Sequence, residues 1–105
     1  MDTTLPFFQR VYTLVKRVPV GYVTTYGEIA KAMGTKDARR VGHALHANTD
    51  ATTVPCHRVV FSDGRLASGY VFGGPDEQKN RLELEGITFI SSNKVDLSAQ
   101  LYHFV

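Results

Sequence analysis

Two short amphipathic segments on either side of Gly34 constrain the fold of this chain more than any other feature of its sequence. Thr25 and Glu28 have the spacing of a capping box ahead of an apolar run, which predicts a helix over residues 26–33. Gly34 can adopt the left-handed conformation that closes such a helix, and another amphipathic segment follows it directly. The pattern therefore predicts either a helix-turn-helix or a plain helical hairpin.

The second of these segments carries small and basic side chains next to each other. Thr35 is predicted to cap a helix that runs to about residue 47. One face of this helix carries Ala38, Val41, Gly42 and Leu45, and the adjacent surface carries Arg39, Arg40, His43 and His46. Small side chains let a partner approach the backbone closely, while the basic ones supply donors and charge. This surface favours the helix-turn-helix over the hairpin.

Further elements are predicted on both sides of this region. Apolar residues at three-to-four spacing predict an amphipathic helix over residues 6–17. Pro75 marks the first turn of another helix, which Gly86 closes. Residues 87–90 are predicted to form a short strand, and residues 97–105 form either a packed or a loose tail.

Composition limits the size of the core and the classes of function. With 105 residues, 43% of them hydrophobic, the chain is predicted to be a single domain over residues 1–105, mainly α with a small β component and winged helix-turn-helix-like. No apolar run reaches the ~18 residues that span a bilayer, and no signal-peptide pattern is present, so we expect the cytoplasm, or the nucleus in a eukaryote. Residues 31–65 hold six basic and three acidic side chains, which is compatible with moderate, salt-sensitive binding to a polyanion.

The single cysteine, Cys56, serves either core packing or chemistry. It cannot form an internal disulfide. Its neighbour His57 is a candidate base. A free thiol has a pKa of about 8.5, so a reactive cysteine needs a base or positive surroundings to ionise at neutral pH. Neighbouring side chains of an extended strand point to opposite faces, so such help requires a bridging water or a local bend, which Pro55 favours. From the dipeptide alone, a structural cysteine beside a solvated histidine remains the alternative.

Five segments occur in a fixed order between residues 23 and 86. Residues 55–59, Pro-Cys-His-Arg-Val, resemble the active-site motif of the O6-alkylguanine-DNA alkyltransferases. The other four occur in that family's order. Residues 23–30 resemble its first recognition helix, and residues 38–48 resemble the second, with the hinge asparagine. Residues 69–74 resemble its substrate-binding loop, and residues 84–86 its closing glutamate-glycine. Five ordered matches are far more specific than the pentapeptide.

This resemblance implies direct reversal of DNA damage. A guanine alkylated at O6, or a thymine alkylated at O4, would be flipped out of double-stranded DNA from the minor groove, and its alkyl group would pass irreversibly to Cys56. The implied catalytic residues are Cys56 as alkyl acceptor, His57 as a base acting through water, Glu85 as the carboxylate that orients His57, and Tyr26 as proton donor. On residue type alone, Tyr26 also fits a core position and Glu85 a helix end.

The resemblance also assigns residues to DNA and to the substrate. Arg39 would fill the space that the flipped base leaves, although a solvated arginine fits the sequence equally. The further implied DNA contacts are Thr25, Ala38, Gly42 and Asn48. The implied pocket residues are Pro55, Arg58, Val59, Gly69, Tyr70, Val71 and Phe72. Neither a cofactor nor a metal is expected, because His43 and His46 have too few partners for a zinc site.

Two departures from the family pattern leave alternatives open. The loop over residues 69–74 is one residue longer than the usual Gly-Tyr-x-Gly-Gly. Residues 94–102 and the chain length are similar to the alkyltransferase-like proteins, which bind the same lesions, lack the cysteine and signal to nucleotide excision repair factors. The retained Cys56 favours a transferase, expected to be a monomer that binds DNA and no membrane. A helix-turn-helix transcription regulator is a further alternative, although no dimerisation element is recognisable.

Overall fold

Helices make up most of the secondary structure in a computed structural model that describes residues 6–67 and 69–104. Residues 1–5, Ser68 and Val105 of the predicted domain lie outside the described residues. The elements are α1 (Phe7–Val15), β1 (Thr24–Thr25), α2 (Tyr26–Ala32), α3 (Ala38–His46), a 3-10 turn (Cys56–Arg58), β2 (Val59–Val60), α4 (Gly74–Leu84), β3 (Phe89–Ser91), β4 (Lys94–Val95) and α5 (Leu97–Gln100). The predicted fold class, mainly α with a small β component, is confirmed. None of the helices in the described part of the chain has the length and apolar character that a membrane crossing requires.

The helix-turn-helix consists of α2 and α3. The Thr25 hydroxyl accepts a 3.0 Å hydrogen bond from the backbone N–H of Glu28, so the predicted cap of α2 is confirmed. Gly34 closes this helix with a φ of 76°, as predicted. The prediction that Thr35 caps α3 is wrong. Thr35 instead accepts from the N–H of Asp37, and the Asp37 carboxylate caps α3 by accepting from Arg40 N at 3.0 Å.

The main core forms where α1 packs against α2 and α3. The predicted apolar stripe of α1 is confirmed, because Val11, Leu14 and Val15 are buried. They pack in one cluster with Ile29, Ala30, Val41, Ala44, Leu45, Val54, Cys56, Val59 and Tyr70. A second buried cluster contains Val23, Val60, Leu66, Leu82, Ile87 and Val95. Successive residues of β2 therefore face different clusters, as the alternation of a strand requires.

A short parallel pairing connects the start of the helix-turn-helix to the segment after Cys56. In β1 and β2, Thr24 pairs with Val59 and Thr25 with Val60. One further step in this register places Tyr26 beside Phe61, and the two rings lie 5.4 Å apart between centroids. The parallel pair therefore brings the first residue of α2 to the wall of the site described below.

The C-terminal segment is packed and not loose. Val23 N donates to Gln100 O at 2.9 Å, and Tyr102 N donates to Val23 O at 2.7 Å, so this segment extends the pairing next to β1. The predicted strand over residues 87–90 is observed two residues later, as β3, which pairs antiparallel with β4.

Candidate active site

A cavity of about 470 Å³ lies between the helix-turn-helix, the 3-10 turn and the loop before α4. Its lining comprises Tyr26, Ala38, Arg39, Gly42, His43, Leu45, His46, Cys56, Phe61, Ala67, Gly69, Tyr70 and Val71. This volume is within the range of about 300–1,000 Å³ that is usual for small-molecule sites. Residues that the sequence assigned separately to catalysis, DNA contact and the pocket thus meet around one cavity.

Cys56 lies at this cavity with only 5% of its surface exposed. The side-chain amide of Asn48 donates to Val54 O at 3.0 Å and lies 3.6 Å from the Cys56 sulfur. Burial raises the pKa of the Cys56 thiol, and the hydrogen bond from Asn48 opposes this shift only in part. The resting group at neutral pH is therefore a thiol, so it needs a base before it can act as a nucleophile.

His57 is next to Cys56 in the 3-10 turn, which supplies the bend that an extended strand would lack. Its Nε2 lies 2.9 Å from Glu85 Oε2. Because Nε2 donates its hydrogen to a carboxylate, the neutral ring has its free lone pair on Nδ1. That Nδ1 is buried and has no hydrogen-bonding partner among the residues that the structure describes. Burial lowers the pKa of His57, so the ring is neutral and able to accept a proton at pH 7.

Glu85 is held in place by Arg58 as well as by His57. Arg58 donates from Nε to Glu85 Oε1 at 2.9 Å and from Nη2 to Oε2 at 2.8 Å. A third bond, from Arg58 Nη1 to Val18 O at 2.9 Å, anchors the guanidinium to the end of the α1 region. Burial alone would raise the pKa of Glu85, but the hydrogen bonds from Arg58 and His57 outweigh it and lower that pKa. The carboxylate is therefore ionised and fixed, which suits it to orient an imidazole.

Tyr26 on α2 and Arg39 on α3 line the cavity. Burial, with a smaller contribution from Cys56, raises the pKa of Tyr26 to about 12. The phenol therefore keeps its proton at neutral pH. Arg39 is exposed on α3, and the neighbouring Ala38 and Gly42 have small side chains that leave the helix backbone accessible.

Eight of the assigned residues do not line the cavity, and three of them, His57, Glu85 and Asn48, make the contacts described above. Arg58 instead binds Glu85, as described above. Val59 is completely buried in the core, Pro55 is buried ahead of the 3-10 turn, and Phe72 packs against the core with its ring 5.9 Å from that of Tyr70. The Thr25 hydroxyl caps α2. Of the longer loop, Gly69, Tyr70 and Val71 line the cavity, and Gly74 N donates to Tyr70 O at 2.9 Å, which closes the loop onto α4.

Phe61 and Ala67 also line the cavity, although neither belongs to one of the five sequence motifs. Phe61 is 37% exposed, and its ring also lies 5.2 Å from the guanidinium carbon of Arg65. An aromatic residue after a short apolar run has no local signature of a site. Only the parallel register of β1 and β2 brings it beside Tyr26.

The structure therefore combines a helix-turn-helix, an element typical of DNA-binding domains, with a buried thiol, an imidazole and a carboxylate beside one cavity. The family model described as 6-O-methylguanine DNA methyltransferase, DNA binding domain, matches residues 6–87. The chain therefore belongs to the family of O6-alkylguanine-DNA alkyltransferases and alkyltransferase-like proteins, as the sequence motifs predicted.

Both branches of this family are represented among its relatives. The DNA base-flipping protein of Escherichia coli strain K12 is 39% identical over 99% of this chain and 80% of its own length. The methylated-DNA–protein-cysteine methyltransferase of Thermococcus kodakarensis is 47% identical over 78% of this chain. The chain spans only 45% of that enzyme and 31% of a bifunctional methyltransferase/endonuclease from Picrophilus torridus. A crystal structure of Schizosaccharomyces pombe Atl1 with damaged DNA containing O6-carboxymethylguanine superposes with a TM-score of 0.82, at 36% identity over 97% of this chain and 98% of that one.

Proposed function

We propose that this chain repairs DNA by moving an alkyl group from O6 of guanine to Cys56. The observation that carries the proposal is the placement of the Cys56 sulfur at a base-sized cavity next to a His57–Glu85 pair with a 2.9 Å hydrogen bond. A structural cysteine would need neither the cavity nor the oriented imidazole. Relatives named methyltransferases support the same reading.

Proton transfer from the thiol is the first step. His57 is neutral and no group among the described residues bonds to its Nδ1, so the imidazole accepts the Cys56 proton through a bridging water. Glu85 stabilises the imidazolium that results, and Arg58 prevents the carboxylate from turning away. The products of this step are a thiolate at the cavity and an imidazolium paired with a carboxylate.

Alkyl transfer then forms a bond from sulfur to the alkyl carbon and breaks the bond from that carbon to O6. The electron pair of the broken bond stays with guanine, which takes up a proton. Tyr26 is the proposed donor, because its phenol lines the cavity and remains protonated. The tyrosinate then recovers a proton from the His57 imidazolium through water, so the net change moves the thiol proton to guanine. The thioether left on Cys56 has no ready route back to a thiol, so each molecule acts once.

DNA would bind across α3. Ala38 and Gly42 allow close approach of the sugar-phosphate backbone in the minor groove, and Arg39 would enter the space that the base vacates. Flipping a base costs a few kcal/mol, less where the lesion already weakens pairing. Phosphate contacts meet this cost without a strongly basic surface. Asn48, bonded to the Cys56 segment, would fix the geometry between α3 and the nucleophile.

Lesion recognition without transfer is the second candidate function. The chain matches the alkyltransferase-like protein 1 of Schizosaccharomyces pombe at 43% identity over 76% of that protein, a larger share than it covers of the methyltransferases. In this case the chain would bind the same lesions and present them to nucleotide excision repair factors. Retention of Cys56 favours the first candidate.

Intact mass spectrometry after incubation with duplex DNA containing O6-methylguanine separates the candidates. Transfer predicts a gain of one methyl mass per molecule, mapped to the peptide that contains Cys56. Cys56→Ser should bind the lesion with unchanged affinity and gain no mass. Tight lesion binding by an unmodified wild-type protein would instead establish the second candidate. Equal affinity for damaged and undamaged DNA would contradict both and favour a transcription regulator.

A further inference from the structure

A buried amide on α4, Gln78, joins two walls of the cavity although it does not line it. None of its surface is exposed. Its Oε1 accepts a 2.9 Å hydrogen bond from Ala67 N, while Nε2 donates to His57 O at 3.1 Å and to Val59 O at 2.9 Å. Both amide hydrogens and the carbonyl oxygen are therefore used. A buried polar group without such partners would cost free energy, so this set of bonds specifies one position for the side chain.

These three bonds connect the segment that contains Cys56 to the opposite wall of the cavity. The carbonyls of His57 and Val59 belong to the 3-10 turn and the strand that follow the sulfur-bearing residue. Ala67 lines the cavity and precedes the loop that carries Tyr70. Gln78 therefore sets the distance between the nucleophile segment and the opposite wall of the cavity.

Helix α4 also holds His57 at a second point. Residues 78, 82 and 85 are spaced i, i+4 and i+7, so they lie along one helix face. Gln78 binds the backbone carbonyl of His57, whereas Glu85 binds its imidazole. The orientation of His57 relative to α4 is thus fixed at both its backbone carbonyl and its imidazole ring.

We propose that Gln78 is a positioning residue for alkyl transfer. It holds the Cys56–His57 turn in register with Glu85 and with the cavity loop, and it touches neither DNA nor the reacting atoms. The inference rests on the proposed function. It implies that replacing Gln78 lowers the rate of the chemical step and leaves the affinity for the lesion unchanged, because misplacing reacting groups by about 1 Å can reduce a rate by about 100-fold.

Two substitutions of similar size test this role. Gln78→Met removes all three hydrogen bonds. Gln78→Glu places a carboxyl against two carbonyl oxygens in a buried site, where it remains protonated. The protonated acid donates one hydrogen and still accepts from Ala67, so it retains two of the three bonds. Transfer rates at saturating lesion DNA should rank wild type, then Gln78→Glu, then Gln78→Met, with a loss of about 10-fold to 100-fold for Gln78→Met.

Lesion affinity is measured for the same variants in a Cys56→Ser background, and it should stay within about threefold of its unsubstituted value. Val95→Ala, in the second core cluster, is the control for lost stability without a contact to the site. Three results would overturn the proposal. Gln78→Met could transfer at the wild-type rate, it could lose no more rate than an equally destabilised Val95→Ala, or it could lose affinity for the lesion without losing rate.

A second measurement separates this proposal from the proposed function. Alkylation of Cys56 by iodoacetamide requires thiolate but no DNA, and its pH profile reports how well His57 activates the sulfur. Gln78→Met should move this profile toward that of a His57→Ala variant, and an unmoved profile would overturn the positioning role. A wild-type protein that transfers no alkyl group would overturn the proposed function, while the iodoacetamide profile would still decide the role of Gln78.

Discussion

The substitution Glu85→Gln tests whether the His57 tautomer governs the reactivity of Cys56. Glu85 accepts hydrogen bonds from His57 Nε2 and from two nitrogens of Arg58. A glutamine has one carbonyl oxygen and one NH2 group in the same space. Arg58 Nε donates to Oε1, whereas Arg58 Nη2 and His57 Nε2 share Oε2. An amide oxygen at the Oε1 position keeps the bond from Arg58 Nε and places the NH2 group at the Oε2 position, where Nε2 must become the acceptor. The ring hydrogen moves to Nδ1, and the lone pair that would take the thiol proton is lost.

Loss of a general base costs about 100-fold to 10,000-fold in rate. This corresponds to about 3–5 kcal/mol added to the barrier. The effect on folding is smaller, because the side chains of Arg58 and Glu85 are 13% and 17% exposed and the amide keeps part of the hydrogen bonding. We expect about 1–2 kcal/mol lost from the free energy of unfolding. The protein stays folded at 25 °C, given a typical stability of about 5–15 kcal/mol.

Rapid-quench experiments with excess O6-methylguanine duplex give the rate, with the alkylated fraction read by intact mass. Urea unfolding gives the change in stability, and the Cys56→Ser background gives the affinity for the lesion. Glu83→Gln is the matched control, since Glu83 is exposed on the same helix. A Glu85→Gln variant that transfers within threefold of wild type, or one that loses rate only because it loses affinity, would refute the tautomer argument.

Two more predictions concern the pH dependence and the cavity wall. Burial lowers the pKa of His57 from 6.5 and raises that of Cys56 from 9.0, so transfer should be level between those pH values and decline only below pH 6.5, where the base becomes protonated. Single-turnover rates across pH check this, and a decline centred above pH 6.5 would contradict it. Phe61→Ala should weaken binding to lesion DNA by about 5-fold to 30-fold through loss of a stacking surface of about 1–2 kcal/mol, and leave binding to undamaged DNA unchanged. Fluorescence anisotropy in the Cys56→Ser background measures this, with Phe61→Tyr as a control that keeps the ring, and equal weakening for both duplexes would contradict a contact with the flipped base.

Local signals in the sequence were enough to predict α2 and the turn after it. The cap at Thr25 and the left-handed Gly34 act over three or four residues, so their effect can be read from spacing. The cap of α3 was predicted at Thr35, although Asp37, two residues later, is also of a residue type that caps helices, and only the backbone geometry distinguishes the two.

Spacing along the sequence was not enough to predict the contacts between distant residues of the site. Glu85 lies 28 residues from His57, and only the resemblance to a family connected them. Phe61 and Gln78 were missed because their roles depend on strand register and on helix packing, which no short motif encodes. The one local signal is the i, i+4 spacing of Gln78 and Leu82, and it can be interpreted only once the buried face of α4 is known.

If the proposed function holds, a neutral Cys56–His57 pair at rest suits a protein whose nucleophile reacts once. Burial favours the uncharged form of both Cys56 and His57, so an ionised pair is disfavoured while the cavity contains no substrate. Charge separation becomes favourable when Glu85 stabilises the imidazolium and an electrophilic carbon lies against the sulfur. The same burial slows the reaction of the thiol, which is 5% exposed, with soluble electrophiles. The low reactivity at rest and the reaction with a flipped base therefore have one physical cause, the desolvation of a thiol and an imidazole that share a fixed carboxylate.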